Sequence, residues 1–396
     1  MKRILIDGRF VGVGESIARY VLELTKELLK IDTENQYTLL IRPVGRKELD
    51  WYPEVMNAKN LKVVELDIPH YSLSEQTKLL SYLNEQKFDL VHFAQFNHPV
   101  NYKGNYVVTI HDFTLIGRLR YNNFIKQLAF STVMKSAIKD AHHIISISKY
   151  TLRDLQNFCP TDKSKISIIY HGLDHDKFNA GIRRNELGIR ETKEKYNILG
   201  DYILYVGGWK KHKNLLRMLQ AYEKFIITCH SERSEESHSL PKLVMVGTKD
   251  AKESQVLAEI NRINSSLNSL FLIPNSIILT GSVNIRSDDL PKIYAGALAY
   301  IIPSLSEGFG WPPLEAMACG APVIASKESC IPEILGDAAL YFDPYNTDDI
   351  EKSITKIVTD EKLRQDLSDK GLDHVKKYDW SNTAKETLEV YNKALK

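Results

Sequence analysis

Residues 302–326 read IPSLSEGFGWPPLEAMACGAPVIAS. The apolar run Ala299–Ile302 leading into them has the make-up of a buried parallel strand, which Pro303 and Ser304 end ahead of a glycine loop, Glu307-Gly308-Phe309-Gly310. Proline lacks the amide hydrogen that an interior helical residue donates, so Pro312 and Pro313 open a helix, expected over Pro313–Cys319. Gly320 supplies a left-handed cap, Pro322 forbids continuation, and PVIAS is a second strand. Strand, loop, short helix and strand make one unit of an open parallel α/β fold.

This reading puts Glu307 in the loop and Glu315 in the first turn of the helix, both at the carboxyl edge of a sheet, where open α/β folds bind ligands. Amides of the loop and helix start can hold phosphate oxygens. Carboxylates beside such a site repel the anion unless their work is to accept hydrogen bonds from hydroxyls, as a ribose or hexose offers. The combination points to a nucleotide sugar; the plain alternative is a turn with two solvated glutamates.

Glu307 and Glu315 frame seven residues, and EGFGWPPLEAMACGAPVIAS (307–326) followed by IPEILGDAALYFDP (331–344) resembles the retaining glycosyltransferases of the GT-B fold, in the large family 4 that contains bacterial mannosyl- and glucosyltransferases. The similarity spans essentially the whole chain. It implies an α/β protein of two Rossmann-like domains facing across a cleft: an acceptor-side domain over 1–180, a nucleotide-sugar domain over 195–376, and a last helix, 377–396, crossing back to the first domain. It further implies transfer of a hexosyl group, mannose or glucose, from a GDP- or UDP-sugar to a hydroxyl of a glycan or lipid-linked acceptor. Retention of anomeric configuration and a place in cell-surface polysaccharide synthesis come with the resemblance; independence of metal is expected because no DxD-like acidic pair stands at a suitable strand end. Within it, Glu307 faces the hexose hydroxyls, Glu315 bonds the ribose, and Gly308, Phe309 and Gly310 line the donor.

Composition is consistent with this. A chain of 396 residues with 43% hydrophobic residues suggests two or three domains with real cores, and a net charge of +2 gives no overall basic field for nucleic acid. Cys159, Cys229, Cys319 and Cys330 have no ligand-type spacing, so reduced thiols and a cytoplasmic setting are expected, with any membrane contact peripheral at the inner face. MKRILI at the start lacks the length of a signal-peptide core, and no stretch of 18 apolar residues occurs.

Taken in order, Ile4–Ile6 is a strand, Asp7–Gly14 a loop, and Ile17, Val21, Leu24 and Leu28 recur at helical spacing. The loop is an incomplete GxGxxG and departs from the family at Ser16 and Ala18; Gly12 and Gly14 are the phosphate-facing candidates. Strands at 37–41, 61–66, 89–93 and 106–110, with a helix at 74–86, predict a parallel sheet covered on both faces. The strand VVTI ends in His111, which the resemblance places beside the transferred sugar; a histidine satisfying a loop carbonyl is the alternative. Residues 92–98 and 113–123 are the expected acceptor contacts, with Arg118 and Arg120 either meeting a phosphate on the acceptor or solvated.

The second domain restarts at Tyr202–Val206 and GGWKKHKN. Lys213 matches the family lysine that meets the diphosphate; the arginine usually nearby is lacking, with Lys210 or Lys211 as substitutes. Residues 229–240, CHSERSEESHSL, have the character of a disordered insertion without function. At 281–283 the resemblance implies that the backbone of the turn with Val283 meets the base. A phosphorylase or epimerase on the same architecture, and a silent nucleotide-sugar-binding subunit, are the rival readings.

Overall fold

The computed structural model describes residues 1–13, 15–113, 124–231, 240–247, 254–269, 277–279 and 285–396. Gly14, Arg118, Arg120, the centre of the 229–240 insertion and the turn holding Val283 lie outside the described residues. The chain divides into two compact units, Met1–Gly172 with Tyr378–Lys396, and Leu173–Lys377. Each is a doubly wound, Rossmann-like parallel sheet with helices.

The first unit holds β1 (Arg3–Asp7), β2 (Gln36–Ile41), β3 (Leu61–Glu65), β4 (Leu90–Phe93), β5 (Tyr106–Ile110), β6 (His143–Ser146) and β7 (Ile166–Ile168). Every pairing is parallel, in the order β3-β2-β1-β4-β5-β6-β7. Continuous runs such as Tyr106–Ile110, buried at every position, suit strands covered on both faces. The strand order reverses between β1 and β4, the kind of position at which open α/β sheets bind ligands. The final helix, Trp380–Ala394, is capped by Asp379 and belongs to this unit. Its Tyr391 is fully buried and meets His92 Nδ1 at 2.6 Å, while His92 Nε2 lies 2.8 Å from the Thr109 hydroxyl. A hydroxyl–imidazole chain therefore anchors the end of the sequence to β4 and β5.

The second unit holds β8 (Tyr202–Val206), β9 (Lys242–Val246), β10 (Ile277–Leu279), β11 (Ala299–Ile302), β12 (Val323–Ser326) and β13 (Ala339–Phe342), all parallel in the order β10-β9-β8-β11-β12-β13. Its reversal lies between β8 and β11, paired Ala299 to Ile203. Ile203, Tyr205, Tyr222, Phe225, Met245, Ile301 and Ile324 are among the buried side chains of its core.

Two stretches differ from the sequence expectation. Residues 74–86 are not one regular helix: Glu75–Leu79 wind as a π-turn before the α-helix Leu80–Gln86. The charged run at 183–195, between the two expected domains, contains the helix Glu186–Lys195, started by the Asn185 side chain accepting from Gly188 N at 3.0 Å. Its charges occupy a solvated face, which hides the helical period. No helix among the described residues is long and apolar enough to cross a membrane.

Candidate active site

The reversal of strand order in the second unit places the loop after β8 beside the loop after β11. Lys213 Nζ reaches Glu307 Oε1 at 2.6 Å, with side-chain exposures of 20% and 12%. Asn214 makes this geometry. It adopts φ +57°, a left-handed conformation that asparagine tolerates better than most residues, and its amide donates to the carbonyls of Pro303 at 3.2 Å and Pro344 at 2.7 Å. Leu305 N also donates to His212 O at 2.7 Å, so the two loops are tied on both sides of the lysine.

Burial pushes the Glu307 carboxyl up, but the charge and hydrogen bond of Lys213, with His212 nearby, outweigh it and hold the pKa below the usual glutamate value. Glu307 is thus an anion with a cation beside it. Lys210 and Lys211 are exposed, and Trp209 is a buried core residue. An arginine does stand close by: Arg217 Nη1 donates to Asn214 Oδ1 at 2.9 Å.

The helix begins at Trp311, two residues earlier than expected, and ends at Ala318, one residue earlier, with Pro312 and Pro313 inside its first turn. First-turn amides have no carbonyl four residues back, so proline is tolerated at any of these positions. Gly310 caps the helix at φ +98°, a conformation that a side chain would strain. Two of the first three helical residues thus carry no N–H, and Glu307 N donates to Ser329 Oγ at 3.0 Å.

Glu315 lies one turn into that helix, 5% exposed, and Tyr294 Oη donates to its Oε2 at 2.9 Å. Burial first, then Tyr205 and the charges of Glu307 and Glu315, raise the Tyr300 phenol far above its ordinary range. Both glutamates therefore lie in the electrostatic field of this one strand residue. Phe309 is buried and packs edge-on to Trp311, 6.0 Å between ring centroids, while the Cys330 thiol sits 3.2 Å from Glu307 O and 3.4 Å from Phe309 O. These contacts hold the backbone of residues 307–310.

In the first unit His111 follows β5 directly. Its Nε2 is 2.8 Å from Ala94 O, its ring is edge-on to Tyr20 at 5.0 Å, and His171 lies 5.3 Å away. Burial lowers its pKa, against the opposing pull of the Ala94 carbonyl and Asp112. A neutral ring that donates from Nε2 to a carbonyl has Nδ1 as its acceptor. Gly12 has φ +80°, and a methyl there would meet Val44 O at 2.6 Å; its amide donates to the Glu48 carboxylate.

Sequence reasoning missed Tyr294, Asn214 and Arg9. Tyr294 gave no signal beyond its place on an apolar helix. Asn214 followed the lysine but was read only as part of a turn. Arg9 is fully buried two residues after Asp7, to which it donates from Nε and Nη2 at 2.8 Å each, and its Nη1 lies 3.2 Å from Glu75. An Asp-x-Arg pair at a strand end was the available clue.

Residues 17–177 match the family model described as Glycosyltransferase Family 4, and residues 189–374 match Glycosyl transferases group 1. The chain is 26% identical over 399 residues to the O-antigen chain mannosyltransferase B of Escherichia coli, with 95% of each chain covered. It is 27% identical over 290 residues to the O-antigen chain mannosyltransferase RfbU of Salmonella typhimurium, covering 72% of this chain and 69% of that one. Among solved structures it superposes on Anabaena HepE, crystallised with UDP and glucose, with a TM-score of 0.74 at 14% identity, covering 99% of this chain and 100% of that one. WaaG, a glycosyltransferase of lipopolysaccharide biosynthesis, gives a TM-score of 0.70 at 13% identity, with 98% and 99% covered. Both structural likenesses bear on the fold. With two family models matched in succession along the same two-unit fold, the chain belongs to the GT-B glycosyltransferases of family 4, group 1.

Proposed function

We propose that this enzyme transfers a mannosyl group from a nucleoside diphosphate sugar to a hydroxyl of a growing cell-surface glycan or its lipid-linked precursor, with retention of anomeric configuration. The observation that carries the reading is the Lys213–Glu307 pair at the reversal point of the second sheet. The names of the E. coli and Salmonella relatives support mannose and a polysaccharide acceptor.

In this reading the second unit holds the donor. Lys213 faces the departing diphosphate as a point charge, Glu307 accepts from hexose hydroxyls, and Glu315, fixed by Tyr294, accepts from the ribose. Gly308, Phe309 and Gly310 line the donor, and Gly12 of the first unit faces its phosphates once Glu48 gives way. His111 contacts the transferred sugar, and the acceptor binds the first unit. Transfer needs no metal, and the enzyme works in the cytoplasm with a peripheral contact at the inner membrane.

A donor panel tests this. GDP-mannose at 100 times its dissociation constant should stabilise the fold by about 2.7 kcal/mol, and mannosyl transfer should persist in EDTA. A shift with UDP-glucose alone, or activity abolished by EDTA and restored by manganese, overturns the donor or the metal assignment respectively.

Two variants divide the roles. Glu315→Ala removes a contact present equally in bound donor and transition state, so it should raise the donor KM about tenfold or more with kcat little changed. Calorimetry with free GDP should show the same loss in Glu315→Ala and near-normal affinity in Glu307→Gln; the opposite pattern exchanges the two roles. His111→Ala should lower turnover by roughly 100-fold and leave GDP affinity intact. Collapse of GDP binding in that variant would make the histidine structural.

A further inference from the structure

We infer that Ser329 and Cys330, in the loop after β12, are positioning residues: they fix the main chain of Glu307 and so set where its carboxylate meets the transferred sugar. That the carboxylate meets a sugar rests on the transferase reading; that these two residues hold its main chain does not.

Glu307 is held from two sides. Its carboxylate is bound to Lys213, from the loop after β8. Its peptide groups are bound from the loop after β12, where Ser329 Oγ accepts from Glu307 N at 3.0 Å and the Cys330 thiol lies 3.2 Å from Glu307 O and 3.4 Å from Phe309 O. Because β11 lies between β8 and β12 in the sheet, the loop after β11 has one of these holders on each flank. The loop has little stiffness of its own, since Gly308 and Gly310 leave its backbone many conformations. Its shape is therefore supplied by its neighbours.

The backbone of those neighbours carries a matching cost. Five residues other than glycine have positive φ among the described residues, and two of them, Asn214 and Ser329, both at φ +57°, flank this loop. Each spends its side chain on it: Asn214 donates to Pro303 O, and Ser329 accepts from Glu307 N. Glycine would take the left-handed angle at 329 without strain, but it has no oxygen to offer. Strain of this kind persists where the surrounding structure enforces it, and it recurs at functional sites. Cys330 is fully buried, and burial first, then the charges of Glu307 and Glu333, push its thiol well above the ordinary range. The thiol thus stays protonated and serves as a donor to the two carbonyls.

Both residues act through Glu307, so their loss belongs in turnover and in the share of donor affinity that the hexose contributes. Nucleotide affinity should not move. The full chain and its variants Ser329→Gly, Cys330→Ala and Cys330→Ser test this by three measurements: hydrogen exchange of residues 305–311 without nucleotide, calorimetry with GDP and GDP-mannose, and steady-state kinetics. Ser329→Gly and Cys330→Ala should each speed exchange in that segment several-fold, weaken GDP-mannose more than GDP, and lower kcat roughly tenfold or more. Cys330→Ser keeps a donor at the same place and should keep most of the turnover. Ser329→Gly should melt close to wild type, because relief of the left-handed strain offsets the lost hydrogen bond, which separates lost positioning from lost folding. Unchanged exchange in both Ser329→Gly and Cys330→Ala, faster exchange with unchanged turnover, or turnover that falls only in step with GDP affinity overturns the inference. If the wild type binds neither GDP-mannose nor UDP-glucose while exchange still rises in both variants, the transferase reading fails and the hold on the Glu307 main chain stands.

Discussion

Lys213→Ala is expected to lower kcat/KM for transfer by roughly 100- to 1,000-fold, the effect of removing one preorganised group that faces developing charge. The lysine has two tasks. It offers charge to the departing diphosphate, and at 2.6 Å it keeps Glu307 ionised where both side chains are largely shielded from water. Its removal leaves that carboxylate without a counter-ion, which costs about 3–5 kcal/mol for a buried pair, the upper bound for these partly exposed groups. Lys213→Ala should therefore lose melting temperature as well as turnover. Glu307→Gln should lose turnover at smaller cost in stability, because a neutral amide needs no counter-ion. Because the two residues act as a unit, the double variant should be no slower than the slower single variant and should regain part of the lost stability. Steady-state kinetics and thermal unfolding of the three variants decide the matter. Losses that multiply show independent action, and an unchanged melting temperature in Lys213→Ala shows that the pair bears no structural load.

The enzyme should also lose stability steeply in mild acid, through its first unit. Burial lowers the pKa of His92 to about 3 and of His98 to about 4, and it holds His111 and His171 below their ordinary value of 6.5. These rings stay neutral in the folded chain, whereas the unfolded chain binds protons below pH 6.5. Their contribution is thus fully present above pH 6.5 and is lost as pH falls toward the folded-state values. Each such ring costs about 1.4 kcal/mol per pH unit in that window, so His92 and His98 alone remove about 5 kcal/mol between pH 6.5 and 4.5. That is a large share of the roughly 5–15 kcal/mol typical of a whole domain. Chemical denaturation across pH 4.5–7.5 measures it. His92→Gln keeps a hydrogen-bonding group but no titration, so its pH slope should flatten by about one proton; an unchanged slope means His92 is charged in the folded chain.

The parallel sheets were legible in the sequence because strands covered on both faces read as near-continuous apolar runs, as 106–110, with Thr109 the exception, and 299–302 do. The glycine loop with its two glutamates was legible for a similar reason. Proline fixes the backbone locally and glycine enters positive φ without strain, and Gly320 takes φ +80° as its place after the helix requires. The helix at 311–318 was misplaced by two residues because an amide with no acceptor to lose makes several positions equally good for proline. The π-turn at 75–79 and the helix at 186–195 left no mark, since neither carries a clean apolar period.

What the tertiary structure alone decided is which side chains meet. Lys213 and Glu307 are 94 residues apart and touch only because β8 lies beside β11 in the sheet, so that the loops at their carboxyl ends share one reversal point. Tyr294 meets Glu315, Tyr391 meets His92, and Glu75 meets Arg9 in the same way. A sequence specifies backbone conformation through short-range sterics and periodicity; the partner of a buried charge depends on strand order and helix packing, which bring together residues that no local pattern connects.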